Sequence, residues 1–220
     1  MKYLTSMLFS PGEGTHKMPN GKKDRGQKQN GKLFCRIFVD EERTDMEPIK
    51  ENLNRIRATL PAGVRLVAVS KTKPAEAVRE AYDAGQRIFG ENRPQEMAAK
   101  HAVLPEDIEW HLIGQLQEKN VKYIAPFVTM IHSVDSLKLL LKIEREAAKH
   151  GRRIDCLLEF HIAEEATKSG LTVEEAEALL EDEACRSAAH VRIVGVMGIA
   201  THTDNREQVR GEFRRLQGIF

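Results

Sequence analysis

Cysteine is scarce in this chain: Cys35, Cys156 and Cys185 are widely spaced, odd in number and without a C-x-x-C pair, which excludes a disulfide framework and fits a reducing cytoplasm. An excess of charge of one sign is lacking too. With 34 Lys and Arg against 33 Asp and Glu, no global field points to nucleic acid or an anionic membrane. No apolar run approaches the roughly 18 residues of a membrane span. Met1–Ser10 is broken by Thr5 and Ser6 with no A-x-A site after it, which argues against a secretory leader. G-x-G-x-x-G, H-x-H and H-E-x-x-H are all absent, removing the common dinucleotide and zinc signatures.

What is present divides the chain unevenly. Residues 11–32 are rich in Gly, Lys, Gln and Asn and almost free of apolar side chains, so they cannot offset their ordering entropy and are predicted to be disordered. Lys22, Lys23, Arg25 and Lys28 make this stretch basic, but no aromatics interleave with them as in a nucleic-acid arm. Residues 1–44 are therefore read as a disordered or non-native extension, with Leu33–Val39 as a candidate added strand, and 45–220 as the domain.

From Ile49 the pattern becomes regular. Ile49, Leu53, Ile56 and Leu60 mark an amphipathic helix ended by Pro61 and Gly63. Strands are predicted at 65–71, 87–91, 109–114, 130–135, 155–162 and 191–200, and helices at 74–84, 136–150, 173–183 and 204–220. Gly85 and Gly151 stand where helix C-caps are expected. Strands alternating with helices, several strands being nearly all apolar, imply a parallel sheet covered by helices. The spacing favours an α/β fold of the (β/α)8 TIM-barrel type, here with six strand–helix units, over an open doubly wound sheet.

In such a barrel chemistry collects at the carboxyl ends of the strands. These ends carry Lys71; Glu91, Asn92 and Arg93; His111; His132, Ser133 and Asp135; Glu159 and His161; and Met197, Thr201 and His202. Lys71 closes the apolar run Arg65–Ser70, so its stem would follow Val67 and Val69 into a crevice where losing hydration favours the neutral, nucleophilic amine. A lysine snorkelling to water is the other reading, and Lys73 shares its side-chain parity. The four histidines offer a competing constellation, a divalent-metal site with Asp135 or Glu159.

Further motifs follow in order: Val67-Ala-Val-Ser-Lys71-Thr-Lys-Pro74, Phe89-Gly-Glu-Asn92, Glu109-Trp-His-Leu-Ile-Gly114 with Gln115-Leu-Gln117, Ile131-His-Ser-Val-Asp135, Lys168-Ser-Gly170 and Val194-Gly-Val-Met-Gly198. This series resembles the pyridoxal phosphate homeostasis protein family, whose single domain is similar to the N-terminal barrel of alanine racemase, over about residues 47–220. The resemblance implies a pyridoxal 5'-phosphate-binding protein of cofactor homeostasis, with Lys71 holding the cofactor as a Schiff base. It places Asn92, His111, Ser133, Ser169, Gly170 and Met197 around the cofactor and assigns no metal and no catalytic residue. The implied partners are pyridoxal phosphate and apoenzymes that receive it, with no nucleic acid and no membrane, for a cytoplasmic monomer.

A pyridoxal-phosphate-dependent amino-acid racemase or lyase is the enzyme alternative, and a metal-dependent hydrolase the more remote one. Racemisation needs acid–base groups on both faces, and Tyr3, Tyr82 and Tyr123 all fall away from predicted strand ends. Arg93 stands where the family commonly has an aromatic, and His161 where it often has asparagine. Family members also continue past the helix ending at Phe220 into two strands with Ser-x-Gly-Met-Ser and Arg-x-Gly elements that hold the phosphate. The expectation is a barrel lacking its last two units, with two unpaired sheet edges and weak cofactor binding or poor folding.

Overall fold

The computed structural model describes the backbone of residues 6–10 and 32–37, and residues 48–164 and 169–220 in full. The elements in chain order are β1 (Ser6–Ser10), β2 (Lys32–Ile37), α1 (Ile49–Thr59), β3 (Val64–Val69), α2 (Ala75–Asp83), β4 (Ile88–Glu91), α3 (Pro94–His101), β5 (Glu109–Leu112), α4 (Val121–Ile124), β6 (Met130–Val134), α5 (Leu137–Lys149), β7 (Ile154–Phe160), α6 (Val173–Glu181), α7 (Glu183–Arg186), β8 (Val191–Ile199) and α8 (Arg206–Ile219). All six expected strand–helix units are present, from β3 to α8.

The strands close a barrel in sequence order. Neighbours from β2 to β8 run parallel, whereas β1 runs antiparallel to both β2 and β8. The edges expected to stay unpaired are therefore covered: Leu33 and Cys35 pair with Val64 and Leu66 of β3, and Leu8 lies opposite both Met197 of β8 and Phe34 of β2. The reason is backbone hydrogen bonding, since an open parallel edge presents a row of unsatisfied N–H and C=O groups to any strand that reaches it. The candidate strand at Leu33–Val39 is the observed β2. Apart from Lys32, the segment expected to be disordered lies outside the described residues.

Alternation along each strand splits the core in two. Outward-facing Leu66, Phe89, Trp110, Leu112, Ile131, Cys156 and Leu158 pack under the helices against Val78, Met97, Leu140, Ile143, Leu179 and Leu216. Inward-facing Val67, Ile88, Met130, Leu157 and Met197 fill the barrel. Each large aliphatic side chain so buried contributes about 1.5–3 kcal/mol of transfer free energy. At the amino-terminal end, Arg65 reaches across β4 to both oxygens of Glu109 (2.9 and 2.7 Å), and Arg192 forms a forked pair with Asp155 (2.8 Å for each bond).

Local signals set the helix starts. Ser136 accepts from Leu139 N–H, Thr172 and Glu175 form a capping box, and Asn205 accepts from Glu207 and Gln208 N–H, each satisfying amides that an isolated helix leaves unpaired. Gly85 (φ 85°) and Gly151 (φ 59°) take the left-handed C-terminal positions. Among the described residues no helix is long and apolar enough to cross a membrane.

Candidate functional site

Lys71 leaves the barrel from a turn that is itself constrained. The β3–β4 ladder runs one residue past the strand, with Ser70 N–H donating to Gly90 O (3.0 Å), and Lys73 N–H then returns to Ser70 O (3.1 Å). In this four-residue turn Thr72 has φ 64°, the only positive φ of a non-glycine residue among those described. That position normally takes glycine or asparagine, and a β-branched residue there stores on the order of 1–3 kcal/mol of strain. Lys71 is half-buried on the same alternation as buried Val67, whereas Lys73 is exposed. The parity that sequence left open is thereby resolved in favour of Lys71 as the lysine nearer the barrel interior.

Behind the turn lies an ion network that sequence reasoning missed. Lys100 Nζ, on α3 and nearly buried, donates to Ser70 O (2.7 Å), Glu91 Oε1 (2.7 Å) and Glu96 Oε1 (2.8 Å). Glu96 Oε1 also accepts from Thr72 N–H (2.7 Å), and Ser70 Oγ donates to Glu91 Oε1 (2.6 Å). Burial pushes the Glu91 carboxyl above its usual range, against the pull of Lys100 and Ser70. Burial pushes Glu96 up as well, but the bonds from Lys100 and Thr72 and the charges of Lys100 and Arg93 bring it below that range. The available signal was the Glu96–Lys100 i,i+4 pair, which sequence alone reads as a solvent-exposed helix pair.

The ends of β4, β5 and β6 meet through backbone. Ile113 N–H donates to Glu91 O (2.9 Å), and Gly114 lies so close to the next residue that a Cβ there would sit 2.6 Å from Asn92 O. Ser133, almost fully buried, donates its hydroxyl to Gly114 O (2.6 Å). Asn92 is half-buried at the mouth. Deeper in the barrel the buried rings of His111 and His132 share a hydrogen bond, Nδ1 to Nε2, at 3.0 Å. Burial, aided by the charge of Arg65, lowers His111 to about 3, so both donors cannot be protonated there at neutral pH and one imidazole must accept from the other.

On the opposite side, Leu171 N–H donates to Glu159 O (2.7 Å) and His161 N–H to Leu171 O (3.2 Å). This draws Gly170 (φ 136°) against the end of β7, where a Cβ would fall 2.4 Å from His161 N. Ser169 and Gly170 are half-buried there. Met197 is wholly buried among Val67, Ile88, Met130 and Leu157, in the barrel floor. Helix α8 ties the loops above: Glu212 accepts from Thr201 N–H (2.7 Å) and Thr201 Oγ1 (2.6 Å), Thr201 Oγ1 accepts from Glu164 N–H (3.1 Å), and Arg215 donates to Ile162 O (2.8 Å).

The four histidines do not converge. His111 and His132 adjoin inside the barrel while His161 and His202 are exposed, and among the described residues no three metal-ligating side chains stand together. The geometry instead gathers one lysine, a glycine-tight rim and an apolar floor.

Residues 44–220 match the family model described as alanine racemase, N-terminal domain. The pyridoxal phosphate homeostasis protein of Aquifex aeolicus is 38% identical over 156 residues, covering 70% of this chain and 68% of that one. The protein of the same name from Pseudomonas aeruginosa is 37% identical over 186 residues and covers 80% of each. PipY of Synechococcus elongatus, solved without pyridoxal phosphate, has a TM-score of 0.73 at 37% identity, covering 78% of this chain and 80% of that one. Its structure with pyridoxal phosphate bound gives 0.70 at 36%, covering 78% and 79%. Matched through its barrel and over more than two thirds of these relatives, the chain belongs to the pyridoxal phosphate homeostasis protein family, built on the alanine racemase N-terminal domain.

Proposed function

We propose that this chain binds pyridoxal 5'-phosphate and serves to balance the cofactor's supply, with the Lys71 amine as its attachment point. The observation that carries this is Lys71 itself: a half-buried lysine held at the mouth of the barrel by a strained turn, above an apolar floor. When bound, pyridoxal phosphate supplies an aldehyde carbon for a primary amine. The donor set suits such a group. Gly90, on the inner face, has Val67 and Ile113 packed so closely over it that a Cβ would fall 3.0 Å from each, so its lack of a side chain keeps the apolar floor beneath Lys71 tightly packed. In this reading the half-buried Asn92, Ser169 and Gly170 line the rim of the mouth, and the buried Met197, Ser133 and His111 support it from below.

A carrier role is favoured over racemisation by the placement of the described tyrosines. Tyr82 donates to Asp107 (2.7 Å) on the helical side and Tyr123 is exposed on α4, so neither stands where it can move a proton across the mouth. Apoenzymes needing the cofactor are the recipients this reading names, with a monomer as the working form, and the free thiols of Cys156 and Cys185 suit a reducing compartment such as the cytoplasm. Titration of the Lys71→Ala and Lys73→Ala variants with pyridoxal phosphate, followed by absorbance and equilibrium dialysis, tests the assignment. Lys71→Ala should lose the amine-linked absorption band and most of the affinity while Lys73→Ala keeps both; the reverse pattern would move the attachment point.

A further inference from the structure

We infer that Glu96 and Lys100 are positioning residues for Lys71, fixing the turn from which its amine leaves; this rests on Lys71 being the attachment point. The two backbone groups that flank Lys71 are the Ser70 carbonyl and the Thr72 N–H. A single ion network takes both, Lys100 Nζ bonding Ser70 O at 2.7 Å and Glu96 Oε1 bonding Thr72 N–H at 2.7 Å. The two halves of the clamp are joined by the 2.8 Å pair between Lys100 and Glu96. Glu91, fully buried, anchors the clamp to the end of β4. The peptides on either side of Lys71 therefore cannot rotate independently.

The composition of the network argues for this role over plain stability. Apolar residues at both positions 91 and 100 would pack under the barrel without a desolvation cost, and a buried ion pair taken as a whole is a weak contributor to net stability. What the charged arrangement does provide is a directional hold on two named backbone atoms, one of them a charge-assisted bond to an amide in a disfavoured conformation. Without that bond Thr72 is free to return to negative φ, which swings the Lys71 stem away from the direction the barrel interior requires. Neither Glu96 nor Lys100 needs to touch the cofactor to have this effect.

Glu96 is the residue to test, because it is partly exposed and its loss leaves the buried Glu91–Lys100 pair intact. The comparison uses the unsubstituted chain, Glu96→Ala, Glu96→Gln and the double variant Glu96→Ala with Thr72→Asn. Three readouts are taken: Thr72 amide hydrogen exchange and the urea midpoint without cofactor, and pyridoxal phosphate affinity with borohydride-fixed adduct at Lys71. Glu96→Ala should speed Thr72 exchange and weaken affinity by about tenfold or more with little change in the urea midpoint. Glu96→Gln should recover most of the loss, since its amide oxygen still accepts from Thr72, and Thr72→Asn should recover part, since asparagine tolerates the left-handed region. Affinity within about twofold of the unsubstituted chain, or a loss that follows the urea midpoint and is recovered by neither change, would overturn the positioning role. Absence of an adduct on Lys71 in the unsubstituted chain would instead remove the attachment reading, and this role with it.

Discussion

On the β3–β6 side of the barrel mouth, backbone meets backbone and one buried ion network holds the Lys71 turn; on the β7–β8 side, side chains of α8 hold the loops. Lys100 is nearly buried and binds three oxygens from three segments. Glu212 is equally buried, but outside its own helix it grips Thr201, which then reaches Glu164, and its other bond comes from Gln208 one turn earlier on α8. The first side is suited to presenting one group in one direction. On the second side backbone bonds through Leu171 hold the end of β7, whereas the segments at Ile162–Glu164 and Thr201 are tied by side chains of α8 and can shift when that helix shifts.

Substitutions can break this comparison one side at a time. Lys100→Met should have the largest effect, since it strands Glu91 as an uncompensated buried carboxylate, a loss of about 3–5 kcal/mol readable as a lower urea midpoint. A fall of under about 1 kcal/mol would mean that Glu91 takes up a proton at little cost.

Acid tests the same side through His111. Its folded value of about 3 lies below that of an unfolded histidine, about 6.5. Below about 6.5 the unfolded chain binds the extra proton, so stability present above that pH should be lost as pH falls toward about 3, by roughly 1.4 kcal/mol per unit. Burial accounts for most of that lowering and the charge of Arg65 for the rest, and the His132 ring shares a hydrogen bond with it. Urea midpoints across this window, with His111→Gln as the control, should show a slope that the variant flattens; equal slopes would place the acid sensitivity elsewhere.

Glu212→Ala probes the other side and should cost less, about 1–3 kcal/mol for the partners left unsatisfied at Thr201. Hydrogen exchange should then rise at Thr201 and Glu164 while Thr72 stays protected. Equal deprotection on both sides would show that the mouth is one cooperative unit.

Much of this was legible in sequence, and the reason is periodicity. Apolar runs such as Leu66–Val69 and the punctuation at Gly85 and Gly151 made the strands, helices and barrel order readable. Lys71 was legible because it ends such a run. Its clamp was not: Lys100 looks like an ordinary helix lysine until α3 is packed onto β4, and the positive φ of Thr72 runs against the preference of its own side chain. The covering of both sheet edges was also hidden, because β1 pairs with β8, more than a hundred residues away, as well as with its neighbour β2. Gly114 closes a predicted strand and Gly170 is placed near the cofactor by resemblance, but neither reading reveals their close backbone approach to Asn92 and His161.

The central claim is that one lysine of this barrel, Lys71, carries the cofactor. The direct measurement is borohydride reduction of the full chain with pyridoxal phosphate, followed by mass mapping of peptides that separate Lys71 from Lys73 and Lys100. The reduced pyridoxyl mass is expected on Lys71 at near one per chain; the label on Lys73, or spread evenly over surface lysines, would contradict the assignment.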